Sequence, residues 1–231
     1  MGSFMEKNSR DGKNGLYILA LVLLAGPFYV NDFANLYVKS WPWWLFIDYA
    51  GVKFFPLAVV FWMIHSKKMK ANQFGLETAC GVSFVLVVVV VTLAGTLIDQ
   101  NFYPLISTFP GYKALGSMPQ IGNIVWNWVD LTFGLFMVGV CEELVFRGFL
   151  HTFLGRYFKR SWVILVISSV AFGLIHWSLG LHAVVVTSII GALFMGFYLK
   201  TRSLPAIMIA HFLINFIDFA GVIPKSLFRF V

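Results

Sequence analysis

Glu142 and Glu143 are adjacent carboxylates within "VGVCEELVFRGFLHTF", residues 138–153, and Arg147 follows four residues after the second. The chain has only ten acidic residues, and two of them stand side by side in this apolar run. A charged side chain in mid-membrane costs about 2.5–3.5 kcal/mol by insertion scales, so it normally faces a bundle interior and has a role there. Helical geometry separates the pair. Glu143 and Arg147 are i and i+4 on one face, in the favourable acid-before-base order, which makes Glu143 the natural ion-pair partner. Glu142 is turned about 100° away. A buried carboxylate without its own cation is a candidate general base.

Two more polar clusters follow on later apolar segments. In "AFGLIHW", Phe172 and His176 are i and i+4. The basic turn at Lys159 and Arg160 lies about 16 residues after Glu143 and about 16 before His176, so an antiparallel hairpin sets them at one depth. In "AHFLINF", His211 and Asn215 share one helical face, and both can donate hydrogen bonds inward. The depth fits less well here, because His211 is only about nine residues past Arg202. Either the turns sit at different levels or this helix starts deeper. Plainer roles exist for each residue. A Glu–Arg pair can simply tie helices together, and a lone histidine can be a packed polar contact. His151 and His182 are read as such contacts, Asp130 and Asp218 as helix-end residues, and Phe172 as a wall. The case for chemistry rests on the whole set: two carboxylates, an arginine, two histidines and an asparagine on three segments.

The elements that must position this set are membrane helices. The 231 residues are 59% hydrophobic and 12% charged, against about 25% charged in soluble domains. Apolar windows run near 15–31, 42–65, 78–98, 122–157, 162–178, 182–199 and 203–220. They use nearly all the sequence, so a single membrane domain over 1–231 is expected, with 1–14 as a cytoplasmic N-terminal tail and 122–220 as the catalytic core. Asp48, Lys53 and Pro56 mark the second window as broken or partly interfacial. "HTFLGRYFKR" reads as an amphipathic extension of the fourth at the membrane surface. The loop 99–121, with Pro104, Pro110 and Pro119, is expected to be ordered against the bundle. Alternating sides from an inside N-terminus puts eleven of the 17 basic residues inside and four outside, with Lys53 and Arg147 left within spans. That count favours an inside N-terminus and an outside C-terminus. The +7 formal charge is therefore assigned to the bilayer and not to nucleic acid. Cys80 and Cys141, far apart in apolar segments, are read as packing residues with no disulfide.

At its polar residues the sequence resembles the CAAX protease and bacteriocin-processing family of intramembrane proteases, also called the Abi family. The motifs EExxxR, FxxxH and HxxxN read here as "EELVFR" (142–147), "FGLIH" (172–176) and "HFLIN" (211–215), in order and on successive apolar segments. The resemblance covers roughly 125–220. It implies an all-α polytopic transmembrane bundle of about seven to eight helices around a polar cavity. It also implies an intramembrane endopeptidase that cuts near the C-terminus of a protein or peptide substrate. In that scheme Glu142 and His176 activate a water, His211 and Asn215 form the oxyanion hole, and Glu143 and Arg147 support the site. No cofactor and no metal are expected. Two Glu and two His could bind zinc, but HExxH is absent and the family is generally glutamic. Its substrates range from prenylated CAAX proteins to bacteriocin-related peptides and sorting tails. The short chain without large loops looks prokaryotic, so a maturation, sorting or immunity role in a bacterial inner membrane is expected ahead of prenyl-protein processing. Two alternatives stand beside the protease. One is a non-catalytic scaffold or bacteriocin-immunity protein of the same fold. The other is a transporter using Glu142 and His176 as a proton relay, for which no inverted repeat is found.

Overall fold

A computed structural model describes residues 2–76, 82–106, 108 and 113–230, without the side chains of 2–13 and 82. Cys80, Pro110 and the side chains of Lys7, Arg10 and Lys13 lie outside the described residues. Seven helices account for most of what is described: α1 (Gly2–Tyr37), α2 (Trp41–His65), α3 (Val82–Ile106), α4 (124–154), α5 (Ser161–Leu174), α6 (Leu181–Thr201) and α7 (Leu204–Ala220). No strand occurs among the described residues. This is a helical membrane bundle. Its outer surface carries large apolar side chains such as Val30, Phe61, Val85 and Trp162, while Asp32, Lys53, Glu143 and Arg147 are buried inside. Lipid rewards that distribution; water would not.

Local sequence explains the helix ends. Asn123 caps α4, its Oδ1 accepting from the backbone N–H of Val125 and Trp126 at 3.0 and 3.1 Å. Pro205 sits in the first turn of α7, where its missing N–H costs nothing, and Gly221 closes that helix at φ +65°.

Four helices are long and apolar enough to cross a membrane: α2, α6, Asn14–Tyr37 of α1 and Ser83–Ile106 of α3. The windows at 162–178 and 203–220 form shorter helices of 14 and 17 residues. At 1.5 Å per residue neither reaches the ~30 Å of a hydrocarbon core.

Three other expectations need correction. The second window is one continuous helix and is not broken. Its turns widen over Tyr49–Phe54, and that adjustment accommodates Pro56. Lys53 is buried there against Asp48. The third helix runs on to Ile106, so the first part of the supposed loop 99–121 is helical. Asn101 bonds the carbonyl of Phe228 and the N–H of Phe230, and Gln100 bonds Asp218, so tertiary contacts hold this extension. Within 113–121, the N–H groups of Leu115 and Gly116 bond the carbonyl of Ser178, so that part is ordered against the bundle. Finally, α5 ends at Leu174, which leaves His176 in a turn and not on the helix.

α4 is the central element, touching α1, α2, α5, α6 and α7. Its approach to α7 depends on Gly139. A β-carbon there would lie 2.7 Å from the Met208 carbonyl oxygen and 3.2 Å from the Phe212 nitrogen. Gly139→Val should therefore push α7 away and cost about 1–3 kcal/mol of stability by overpacking. Thermal unfolding of purified protein checks this; an unchanged melting temperature contradicts the close approach.

Candidate active site

The site forms where α4, the α5–α6 turn and α7 meet. Directly after Glu143 the turns of α4 widen over Leu144–Phe149, a local form that often marks functional segments. Arg147 lies in this stretch, fully buried, with one guanidinium nitrogen 2.9 Å from Glu143 Oε1. Its guanidinium centre stacks on the ring of Phe172 at 3.9 Å and lies 5.1 Å from that of Phe194. Ser168 Oγ donates to the Phe146 carbonyl at 2.9 Å. These contacts hold α4 and α5 in the register that sets Arg147 beside Phe172.

His211 reaches the carboxylates despite its short distance from the preceding turn. Ser203 and Leu204, where α7 begins, are buried, as are Met69 and Phe74 ahead of α3. The helix thus starts inside the bundle, which is the second of the two possibilities for its depth. His211 Nδ1 is 2.8 Å from Glu143 Oε1, so this nitrogen donates to the carboxylate. His211 Nε2 is 3.9 Å from Glu142 Oε2, beyond a direct hydrogen bond but within reach through one water. The rings of Phe172 and Phe194 flank His211 at 5.9 and 5.2 Å.

The two neighbouring glutamates thus have unequal surroundings. Glu143 Oε1 has Arg147 and His211, and its Oε2 is buried without a partner among the described residues. Glu142 Oε2 is buried with no hydrogen-bond partner among the described residues. His176 packs edge-on against Phe172, with ring centroids 5.6 Å apart, and its buried Nδ1 also lacks a partner. No hydrogen bond or ion pair among the described residues joins His176 to Glu142. Asn215, one turn past His211, is half-buried and unbonded among the described residues. Of the six residues singled out in the sequence, Glu142, Glu143, Arg147 and His211 form one connected cluster. His176 joins it through Phe172, and Asn215 lies beside it on α7.

Residues 124–217 match the family model described as Type II CAAX prenyl endopeptidase Rce1-like. This match agrees with the CAAX protease family that the three motifs resemble. The Rce1-like segment opens on the first residue of α4 and closes two residues past Asn215, so it contains every residue of the cluster. It implies a protease of the CAAX-processing kind. No curated protein and no solved structure matches the chain.

Several contributors were not foreseen in the sequence. The bond from His211 to Glu143 was missed because Arg147 already satisfied the pairing rule. Phe194 gave no signal beyond being apolar. Asp48 and Lys53, in sequence only interruptions of an apolar window, pair within α2, and Cys141 donates its thiol to the Lys53 carbonyl at 3.3 Å. His182 bonds Tyr103 and His151 meets Arg202, each away from the cluster. Asp218 bonds both Gln100 and Lys225 and so does more than end a helix.

Proposed function

We propose that the chain is an intramembrane endopeptidase of the glutamic kind, cutting a peptide bond near the C-terminus of a membrane-associated protein or peptide. One observation carries this reading: of two adjacent buried glutamates, Glu143 takes both Arg147 and His211 on its Oε1, while Glu142 makes no side-chain hydrogen bond among the described residues and holds its Oε2 3.9 Å from the His211 imidazole. Glu142 takes a proton from a water that His176 helps to hold. The water oxygen uses its electron pair to bond to the scissile carbonyl carbon, and the C=O π pair moves onto the carbonyl oxygen. Asn215 donates to that oxyanion, and so does His211 from Nε2 as the imidazolium, its Nδ1–H being held by Glu143. Glu142 then returns the proton to the departing amine nitrogen, the oxyanion re-forms the C=O bond as the C–N bond breaks, and a carboxylic acid and an amine leave. Glu143 and Arg147 hold His211 and keep α4 in register, and no metal or cofactor takes part. The setting we propose is a bacterial inner membrane, with one membrane domain, the N-terminus inside and the C-terminus outside.

The test is cleavage of a lipidated C-terminal peptide by purified protein. His176→Ala should lose about 10²-fold or more in turnover, as expected for a residue taking part in proton transfer. Wild-type cleavage should persist with a chelator. Chelator-sensitive cleavage would replace this mechanism with a metal-dependent one. Absence of cleavage across prenylated, bacteriocin-type and sorting-tail peptides would favour a non-catalytic scaffold or immunity protein.

A further inference from the structure

His176 stands on a six-residue connection, 175–180, between the end of α5 and the start of α6. A single 3-10 turn, Trp177–Leu179, is its only regular structure, and Gly180 at φ +101° lets the chain reverse sharply. Ser178, two residues past His176, is fully buried and anchored at every polar atom. Its N–H donates to Asp32 Oδ2 at 2.7 Å. Its hydroxyl accepts from the Asn35 side-chain amide at 2.9 Å. Its carbonyl accepts from the N–H groups of Leu115 and Gly116 at 2.8 and 2.9 Å.

The anchors are themselves oriented. The Asn35 amide also donates to Asp32 Oδ1 at 3.0 Å and accepts from the Trp44 indole at 2.8 Å. Both Asp32 oxygens are therefore engaged, one on Ser178 and one on Asn35. A second set of contacts supports the same turn. The Trp177 indole donates to the Tyr29 carbonyl at 3.1 Å, and the Tyr29 hydroxyl donates to the Ala171 carbonyl at 2.8 Å. Asp32, Asn35, Trp44 and Leu115 all lie outside the Rce1-like segment.

We propose that Asp32 is a positioning residue for the reaction: its carboxylate, oriented by Asn35 and Trp44, clamps Ser178 and so fixes where the His176 imidazole stands. A buried carboxylate accepting a backbone N–H makes a charge-assisted bond, stronger than a neutral one. Its placement on α1 gives the first helix a specific task in the site. The proposal rests on the role assigned to His176 above.

Asp32→Ala, in full-length purified protein, should lower kcat by about 10²-fold, the scale of a 1 Å misplacement, with KM nearly unchanged. Hydrogen exchange in the same variant should speed up in 175–180 and 113–118 and stay at wild-type rates in 204–220. Asp32→Asn keeps one acceptor oxygen and should lose less than about tenfold, which provides a folded variant if the alanine protein does not assemble. Wild-type kcat in the alanine variant, or in the asparagine variant with fast exchange at 175–180, overturns the proposal. So does a fall in kcat with exchange quickened uniformly along the chain, since that is general loosening. If wild-type protein cleaves nothing, the protease reading fails. Exchange at 175–180 in Asp32→Ala then decides by itself whether Asp32 holds the turn, and unchanged exchange overturns the clamp.

Discussion

Glu142→Gln should lower turnover by about 10²–10⁴-fold, the range attributed to a positioned acid or base, while leaving the protein folded. The substitution keeps the shape and removes the ability to take a proton. It disturbs little else, because Glu142 Oε2 has no hydrogen-bond partner among the described residues and stands 3.9 Å from the nearest His211 nitrogen. Structure and chemistry are therefore separable at this residue. Single-turnover cleavage, with melting measured on the same preparation, gives both quantities. A melting temperature that falls as steeply as the rate would mean that Glu142 holds the bundle together instead of acting on water.

Arg147→Met should have the largest effect on stability. Arg147 is fully buried, bonded to Glu143 and sandwiched against Phe172 and Phe194. Removing one member of a buried ion pair typically costs about 3–5 kcal/mol, because the remaining charge has no compensation. Methionine replaces much of the volume and leaves Glu143 with His211 alone. Adding Glu143→Gln to Arg147→Met should recover part of the loss, since the double variant buries no orphaned charge. Arg147→Lys should remain well below wild type, because a lysine cannot stack as a planar guanidinium does. Thermal unfolding in detergent orders the set. Equal stability of wild type and Arg147→Met would show that the pair bears no structural load.

The sequence disclosed the helical bundle and four residues that meet in it, Glu142, Glu143, Arg147 and His211, because charge is rare in apolar segments and spacing assigns it to faces. Glu143 and Arg147 were paired correctly by the i, i+4 rule. What escaped reading arises from contacts between distant segments. His211 bonds Glu143 from 68 residues away, at a depth set by chain tucked over the start of α7. His176 lies off the end of α5, on a turn whose Ser178 is bonded by α1 and by 115–116, and neither contact leaves a local signature. Asp32 was overlooked for a simpler reason: with the first span drawn to residue 31, an acid one residue beyond it fell outside the membrane. Drawn to Tyr37, the helix contains Asp32 and Asn35 at i, i+3, a buried polar pair that would have drawn attention.

Two adjacent glutamates with separate duties are the centre of this account. The direct measurement is peptide hydrolysis by Glu142→Gln and Glu143→Gln in parallel, each rate divided by the folded fraction of the same sample. The first should be folded like wild type and nearly inert; the second should unfold more easily and keep a larger share of its rate per folded molecule. A Glu142→Gln protein that cleaves at the wild-type rate would contradict it.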